Sequence, residues 1–358
     1  MARYILGIDT TFHASAVGLV DESGRVLINE RRDIDFTVES ARKFFNFHNE
    51  NILSLVGPIL EKYSQDIFLI SASCQEGPFH AMPVGAICAN TVSCILNKKI
   101  IGVNHQIAHL FANWLDRDIE EFIFPIVSLN MSGAHSNIYL IDYLGGAEKM
   151  VEIIWRDDND RFGGLGALFD VICHLMNLDI RRGEGGAYLE KLALSGESKY
   201  LDVLGGLILL KENDTFIFKG VESYISQKLK ELGYYSMEGD DKMIFQNNFV
   251  SSLLSRLFDL LIDAISQLVK EVGAREVHLV GGVAMNVMLR SSLSSFCRER
   301  NINFKVPLKA EYCCDNGAMI AISGYFQWKY LKMAHSDQFL NIMPSAWYYK
   351  YYAKNFEE

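Results

Sequence analysis

The stretch YILGIDTTFHASAVGLVDESGRVLINERR, residues 4–32, decides the fold. Its first apolar run ends at Asp9, a polar turn follows, and a second apolar run covers Ala16 to Val20. After Glu22-Ser23-Gly24, residue types that suit a tight turn, a third run begins. Three strands joined this closely form an antiparallel meander. The pattern returns at residues 124–146, FPIVSLNMSGAHSNIYLIDYLGG, as a strand, a small-polar turn at Ser132-Gly133-Ala134 and a second strand. Two openings of one kind point to a duplicated unit.

Each meander feeds into helices. Residues 38–63 read as helical, DIFLISAS (66–73) as a strand, and GPFHAMPVGAICANTVSCIL (77–96) as a helix introduced by Gly, Pro and small residues. KIIGV (99–103) is a further short strand. In the second half a long amphipathic helix over 247–273 runs into the strand EVHLVGG (276–282). Strands alternating with helices of this length predict an α/β fold with helix-covered sheets. The boundaries expected are a first lobe over 1–121, a second over 122–335 and a tail over 336–358.

With 358 residues, 49% hydrophobic content and six Pro, the chain can bury a sizeable core. No apolar run approaches the length of a membrane span, and MARYILGIDT lacks a charged leader with a cleavage site, so neither a signal peptide nor a membrane association is expected. Seven Cys without a C-x-x-C pair suit the reduced thiols of a cytoplasm. A net charge of −10 argues against the broad basic face that grips nucleic acid unaided.

Three segments carry candidate chemistry. In GVNHQIAHLFANW (102–114), His105 and His109 are four apart, so on a helix both rings share one face and either hold a cation or sit half-buried as ordinary side chains. VHLVGGVAMNVMLRSSL (277–293) passes from a strand through Gly281-Gly282 towards a helix, a connection that is either tight packing or a cradle of backbone N–H groups for an anion. CCDNGAMIAISGY (313–325) offers Asp315 and Asn316 as helix caps, or Asp315 as a third ligand beside the His pair.

In order along the chain, LGIDTTFHASAVGLV, GPFHAMPVGAICAN, IIGVNHQIAH, MSGAHS, GLGALFDV, GGAYLEKLALSG, FQNNFV, VGGVAMNVMLR and CCDNGAMIA resemble the motifs of the threonylcarbamoyladenosine tRNA transferases, bacterial TsaD with its archaeal and eukaryotic counterparts. GVNHQIAH, DNGAMIA and His13 within TTFHAS look like the archaeal branch. The resemblance implies a duplicated actin-like (ASKHA, RNase H-like) fold with two lobes and a central cleft. It implies one iron or zinc ion on His105, His109 and Asp315, a chemically sensible set for either metal. It carries a substrate loop onto Asn130, Met131, Ser132, Gly133 and Ala134, and nucleotide contacts onto Asp170, Gly186, Glu190 and Asn286, with amides at Gly281 and Gly282 for the adenylate. The ligands implied are threonylcarbamoyl-AMP or ATP, and the partners are tRNA and accessory subunits of a transfer complex. His135, in the substrate loop, is the candidate general base, or a residue that caps the turn.

The chain departs from the family where RFGGLGALFD (161–170) replaces an acidic loop, FIFKG (216–220) replaces SFSGL, EGGA (184–187) replaces PGGP, and Ala134 replaces a Gly. These changes surround the acceptor and nucleotide side more than the metal side. Two rival readings remain. One is a small-molecule O-carbamoyltransferase resembling those of antibiotic and nodulation-factor biosynthesis. The other is a non-catalytic actin-like subunit, against which the retained metal triad argues.

Overall fold

A computed structural model describes residues 3–11, 14–34, 41–77, 81–156 and 162–333, with Leu340 and Ile342. His13 and the rest of the tail expected over 336–358 lie outside the described residues. The chain opens with β1 (Tyr4–Asp9), β2 (Ala14–Asp21), β3 (Val26–Asp33), α1 (Ala41–Tyr63), β4 (Ile67–Gln75), α2 (Met82–Leu96), β5 (Lys99–Asn104) and α3 (His105–Phe111). There follow β6 (Ile126–Met131), β7 (Ser136–Ile141), β8 (Glu148–Arg156), β9 (Phe162–Gly163), α4 (Leu165–Leu175) and α5 (Gly185–Leu194). The remainder is β10 (Leu210–Glu212), β11 (Thr215–Lys219), α6 (Val221–Glu231), α7 (Gly239–Val272), β12 (Glu276–Val280), α8 (Val287–Glu299), β13 (Asn303–Lys305) and α9 (Gly317–Tyr330).

Two compact units result, one of Met1–Phe122, Asp142–Ala147 and Pro307–Glu358, the other of Ile123–Ile141 and Glu148–Val306. The first unit's sheet runs β3-β2-β1-β4-β5, with the meander antiparallel and β4 and β5 parallel to β1. The second repeats that order as β8-β7-β6-β12-β13, again a meander followed by two parallel strands. Its outer additions are β11 and β10 beyond β8, and β9 paired to β8. The expected duplication is therefore present strand for strand, in a mixed α/β chain of actin-like fold.

Residues 307–335, read from the sequence as part of the second lobe, join the first unit, because α9 packs on β1, β2 and β4. That packing explains the strand sequences. β1 and β2 are buried almost throughout rather than on alternate residues, since α9 covers one side while α1 and α2 bury the cluster of Leu6, Ile8, Val17 and Leu19 from elsewhere. The approach of α9 is close enough to be backbone on backbone. A Cβ on Gly18 would overlap the main chain of Gly317 and Ala318, and one on Gly317 would overlap Val17 and Gly18. In the second unit α7 begins at Gly239, ahead of the 247–273 expected, and buries Phe249, Leu253, Leu257, Leu261 and Leu268 at helical spacing. All seven Cys are free, and among the described residues no helix is long and apolar enough to cross a membrane.

Since Gly18 has no room for a methyl group, Gly18→Ala should lower the unfolding free energy by about 3 kcal/mol in urea denaturation. An unchanged midpoint would show that α9 does not pack in this way.

Candidate metal centre

α3 begins where β5 ends. The Asn104 side chain accepts from the amides of Gln106 (2.9 Å) and Ile107 (3.2 Å), the N-cap that stops the strand and starts the helix at His105. His105 and His109 thus share one face, their rings edge to face with centroids 4.8 Å apart. The third member arrives from just before α9. Asn316, and not Asp315, is the cap, its Oδ1 accepting from Met319 N at 2.8 Å, and this leaves the Asp315 carboxylate to face the rings. Arg31 Nη1 donates to the Asp315 carbonyl at 3.0 Å. Upstream, Lys309 and Tyr312 both bond Asp116 Oδ2 (2.9 and 2.7 Å), while Asp116 Oδ1 accepts from Val26 N, so the segment leading to Asp315 is tied to the meander.

Both imidazole Nε2 atoms converge on one carboxylate oxygen, Asp315 Oδ1, at 3.4 Å from His105 and 3.2 Å from His109. One ligand atom from each of the three residues lies within 4.8 Å of the others. The His rings are buried and the Asp315 side chain is 22% exposed, which leaves one side of the group open. Two imidazoles, one carboxylate and open positions are a donor set that fits zinc or iron(II).

Opposite charges meet at His105. Burial works against a charge on His105, but Asp9, whose Oδ2 lies 3.2 Å from His105 Nδ1, and Asp315 outweigh it and raise the ring's pKa to about 10. Burial pushes Asp315 up, yet His105 and then His109 hold its carboxyl well below the usual carboxylate range. Asp9, missed in the sequence reading beyond its place at a strand end, is likewise held down by His105 against the effect of burial. No local pattern links Asp9 to His105; their meeting depends on β1 and β5 flanking β4.

The remaining site residues lie in the second unit and form local groups. Asn130 and Met131 end β6, and Ser132 closes the following turn, its amide donating to His135 O at 2.8 Å and its hydroxyl accepting from His135 N. The Ser132 amide is thereby used inside the turn, and the His135 main chain does cap it. Gly164 and Gly166 amides donate to the carbonyls of Gly133 and Ser132. Gly281, at φ 84°, approaches this loop so closely that a Cβ would stand 2.5 Å from Met131 O.

Gly281-Gly282 do not enter a helix directly. A 3-10 turn over Gly282–Met285 intervenes, and α8 starts at Val287 with Asn286 as its cap, because Asn286 Oδ1 accepts from Leu289 N at 2.9 Å. Glu190 Oε1 accepts from Val287 N, so the first turn of α8 is already served by two side chains. Asn286 Nδ2 is different: it is buried and makes no hydrogen bond among the described residues. Asp170 clamps a loop, accepting from Gly183 N (2.7 Å) and Gly185 N (2.9 Å), and Gly186 sits on the Phe169 ring.

The family model of tRNA N6-adenosine threonylcarbamoyltransferase, TsaD, matches residues 43–322. The chain belongs to the TsaD family. It is 28% identical over 354 residues to the tRNA N6-adenosine threonylcarbamoyltransferase of Carboxydothermus hydrogenoformans, covering 96% of this chain and 98% of that one. The protein of the same name from Kosmotoga olearia is 30% identical over 334 residues, 90% of this chain and 92% of its own. Among solved structures, full-length HypF in its phosphate- and nucleotide-bound form aligns with a TM-score of 0.58 at 14% identity, over 94% of this chain and 47% of HypF. This TsaD-family chain thus spans about half of HypF and shares its fold.

With the folded-state pKa of His105 above the ordinary 6.5, its protonation stabilises the metal-free fold fully below that value and the contribution disappears as pH rises through about 10. Metal and proton compete for the same Nε2, so zinc binding near neutral pH should release about one proton per ion, read by calorimetry in buffers of different ionisation enthalpy. His109→Ala should remove the bound zinc, since two protein ligands are too few. Retained zinc in that variant, or no proton release, would contradict the site.

Proposed function

We propose that this TsaD-family chain is a metal-dependent transferase that moves the threonylcarbamoyl group of threonylcarbamoyl-AMP onto the exocyclic amine of the adenosine beside the anticodon of tRNA, releasing AMP. The observation that carries the reading is the convergence of His105, His109 and Asp315 in a chain matching the TsaD model over 43–322. The curated relatives named for this reaction, aligned over nearly their whole length, support it.

A metal ion bound at His105, His109 and Asp315 supplies Lewis acidity towards a carbonyl oxygen. The chain's own residues do the rest. The Gly133 and Ala134 amides and the open backbone at Gly281-Gly282 receive the adenylate, and the absence of a Cβ at Gly281 lets that backbone come close. Asn286 offers its unpaired Nδ2 donor to the nucleotide while its Oδ1 holds α8. Asp170 and Glu190 keep the loops at Gly185 and Val287 in place and can each accept a ribose hydroxyl with a remaining lone pair. The His135 side chain, on the substrate loop, is the candidate to accept the proton that leaves the attacking amine.

The net charge of −10 supports a role for accessory subunits that add basic surface for tRNA. Seven free thiols and a tRNA substrate are consistent with work in the cytoplasm.

Depletion of the protein should remove threonylcarbamoyladenosine from the tRNA nucleosides seen by mass spectrometry, with rescue by the wild type and not by Asp315→Ala. Unchanged nucleosides would point instead to a small-molecule acceptor. With purified protein, Asn286→Ala should weaken an adenylate analogue by about 0.5–1.5 kcal/mol and leave zinc content intact. Full affinity in that variant would remove Asn286 from the nucleotide site.

A further inference from the structure

We propose that Asp9 is a positioning residue for the metal centre, its carboxylate holding the Nδ1–H of His105 so that the Nε2 lone pair of that ring is presented to the ion. The inference rests on the metal reading above and concerns a residue outside the ligand set.

Asp9 ends β1 and is fully buried. Its two oxygens have separate tasks. Oδ1 accepts from Thr11 N at 2.9 Å and from the Ser73 hydroxyl at 2.7 Å, and Ser73 Oγ in turn accepts from Thr11 Oγ1 at 3.0 Å. Those donors come from the turn after β1 and from the neighbouring strand β4, so the carboxylate plane is fixed. Oδ2 is left with no hydrogen bond among the described residues, and it stands 3.2 Å from His105 Nδ1, which has none either. A buried carboxylate oxygen without a donor is costly, and among the described residues the His105 ring is placed to supply it.

The consequence for the ring follows from its chemistry. A neutral imidazole carries one proton, and with that proton kept at Nδ1 by a carboxylate, Nε2 is the basic nitrogen, the one aimed at Asp315. His109 lacks this arrangement. Its Nδ1 is buried and makes no hydrogen bond among the described residues. The two ligands are therefore unequal: among the described residues His105 has a carboxylate behind its Nδ1 as well as Asp315 before its Nε2, whereas His109 meets Asp315 alone.

Asp9→Asn tests the assignment through hydrogen-bond polarity. Thr11 N–H and the Ser73 hydroxyl are donors, so the amide oxygen must take the Oδ1 position and the NH2 must face His105 Nδ1. The ring then has to accept at Nδ1 and carry its proton on Nε2, where the ion binds. The dissociation constant for Zn2+ of the full-length chain, measured by competition with a chromophoric chelator, should rise by about 10–100-fold in Asp9→Asn. In parallel, 15N spectra of the zinc-loaded wild type with labelled histidines should give a protonated Nδ1 and a metal-bound Nε2 for His105, a readout that does not need the variant to fold. Wild-type zinc affinity in a folded Asp9→Asn, or an unprotonated Nδ1 on His105 in the zinc form, would overturn the role of Asp9 and leave the metal site standing. A wild type that binds no zinc or iron would overturn the metal reading and this inference together.

Discussion

The contact between the meander and the start of α9 is the constraint on which the metal centre depends. Because Gly18 and Gly317 present no side chains to one another, the first turn of α9 lies directly on β2, and Asp315 is carried with it, two residues upstream. The Asn316 cap and the Arg31 bond to the Asp315 carbonyl then fix the direction of the carboxylate. A Cβ on Gly18 would stand 2.2 Å from Ala318 N, so a methyl group there would push the start of α9, and Asp315 with it, away from β2. Packing at a position with no chemistry of its own thus sets the geometry of the chemistry.

Within the centre, electrostatics and burial oppose each other. Asp9 and His105 are withdrawn from water, where isolated charges would be costly, and each is tolerated because the other is near, with the partly exposed Asp315 on the far side of the His105 ring. A group that is neutralised internally by a proton is also one in which a divalent cation can replace that proton. The second unit is built on another principle. There, side chains such as Asp170 and Glu190 are spent on main-chain amides, and Asn286 alone among the positions carried over keeps a buried donor that is unused among the described residues.

Much of this was visible in the sequence, for identifiable reasons. The two meanders could be read because turn residues punctuate short apolar runs, and the repeated strand order follows from that reading. The His pair was visible because helical spacing is local. For Asp315 the sequence left two readings open, a helix cap or a third ligand, and the family resemblance favoured the ligand; the structure gives the cap to Asn316. What could not be read depends on contacts distant in sequence. α9 belongs to the first unit because small residues let it approach β1 and β2, and a helix buried on nearly every side has no polar face to show which sheet it covers. The turn at Gly282–Met285 is hidden for a different reason, since a strand, two glycines and an apolar run are equally compatible with direct entry into a helix. Asp9 was invisible as a site residue because its partner comes from the far side of β4.

The account's central claim is that His105, His109 and Asp315 hold one metal ion. Crystals of the full-length chain grown with zinc, with diffraction recorded on both sides of the zinc absorption edge, test it most directly. The account predicts a single strong anomalous peak at about 2.0–2.2 Å from the two Nε2 atoms and an Asp315 oxygen. No peak there, or zinc bound through other residues while these three remain paired with one another, would contradict it.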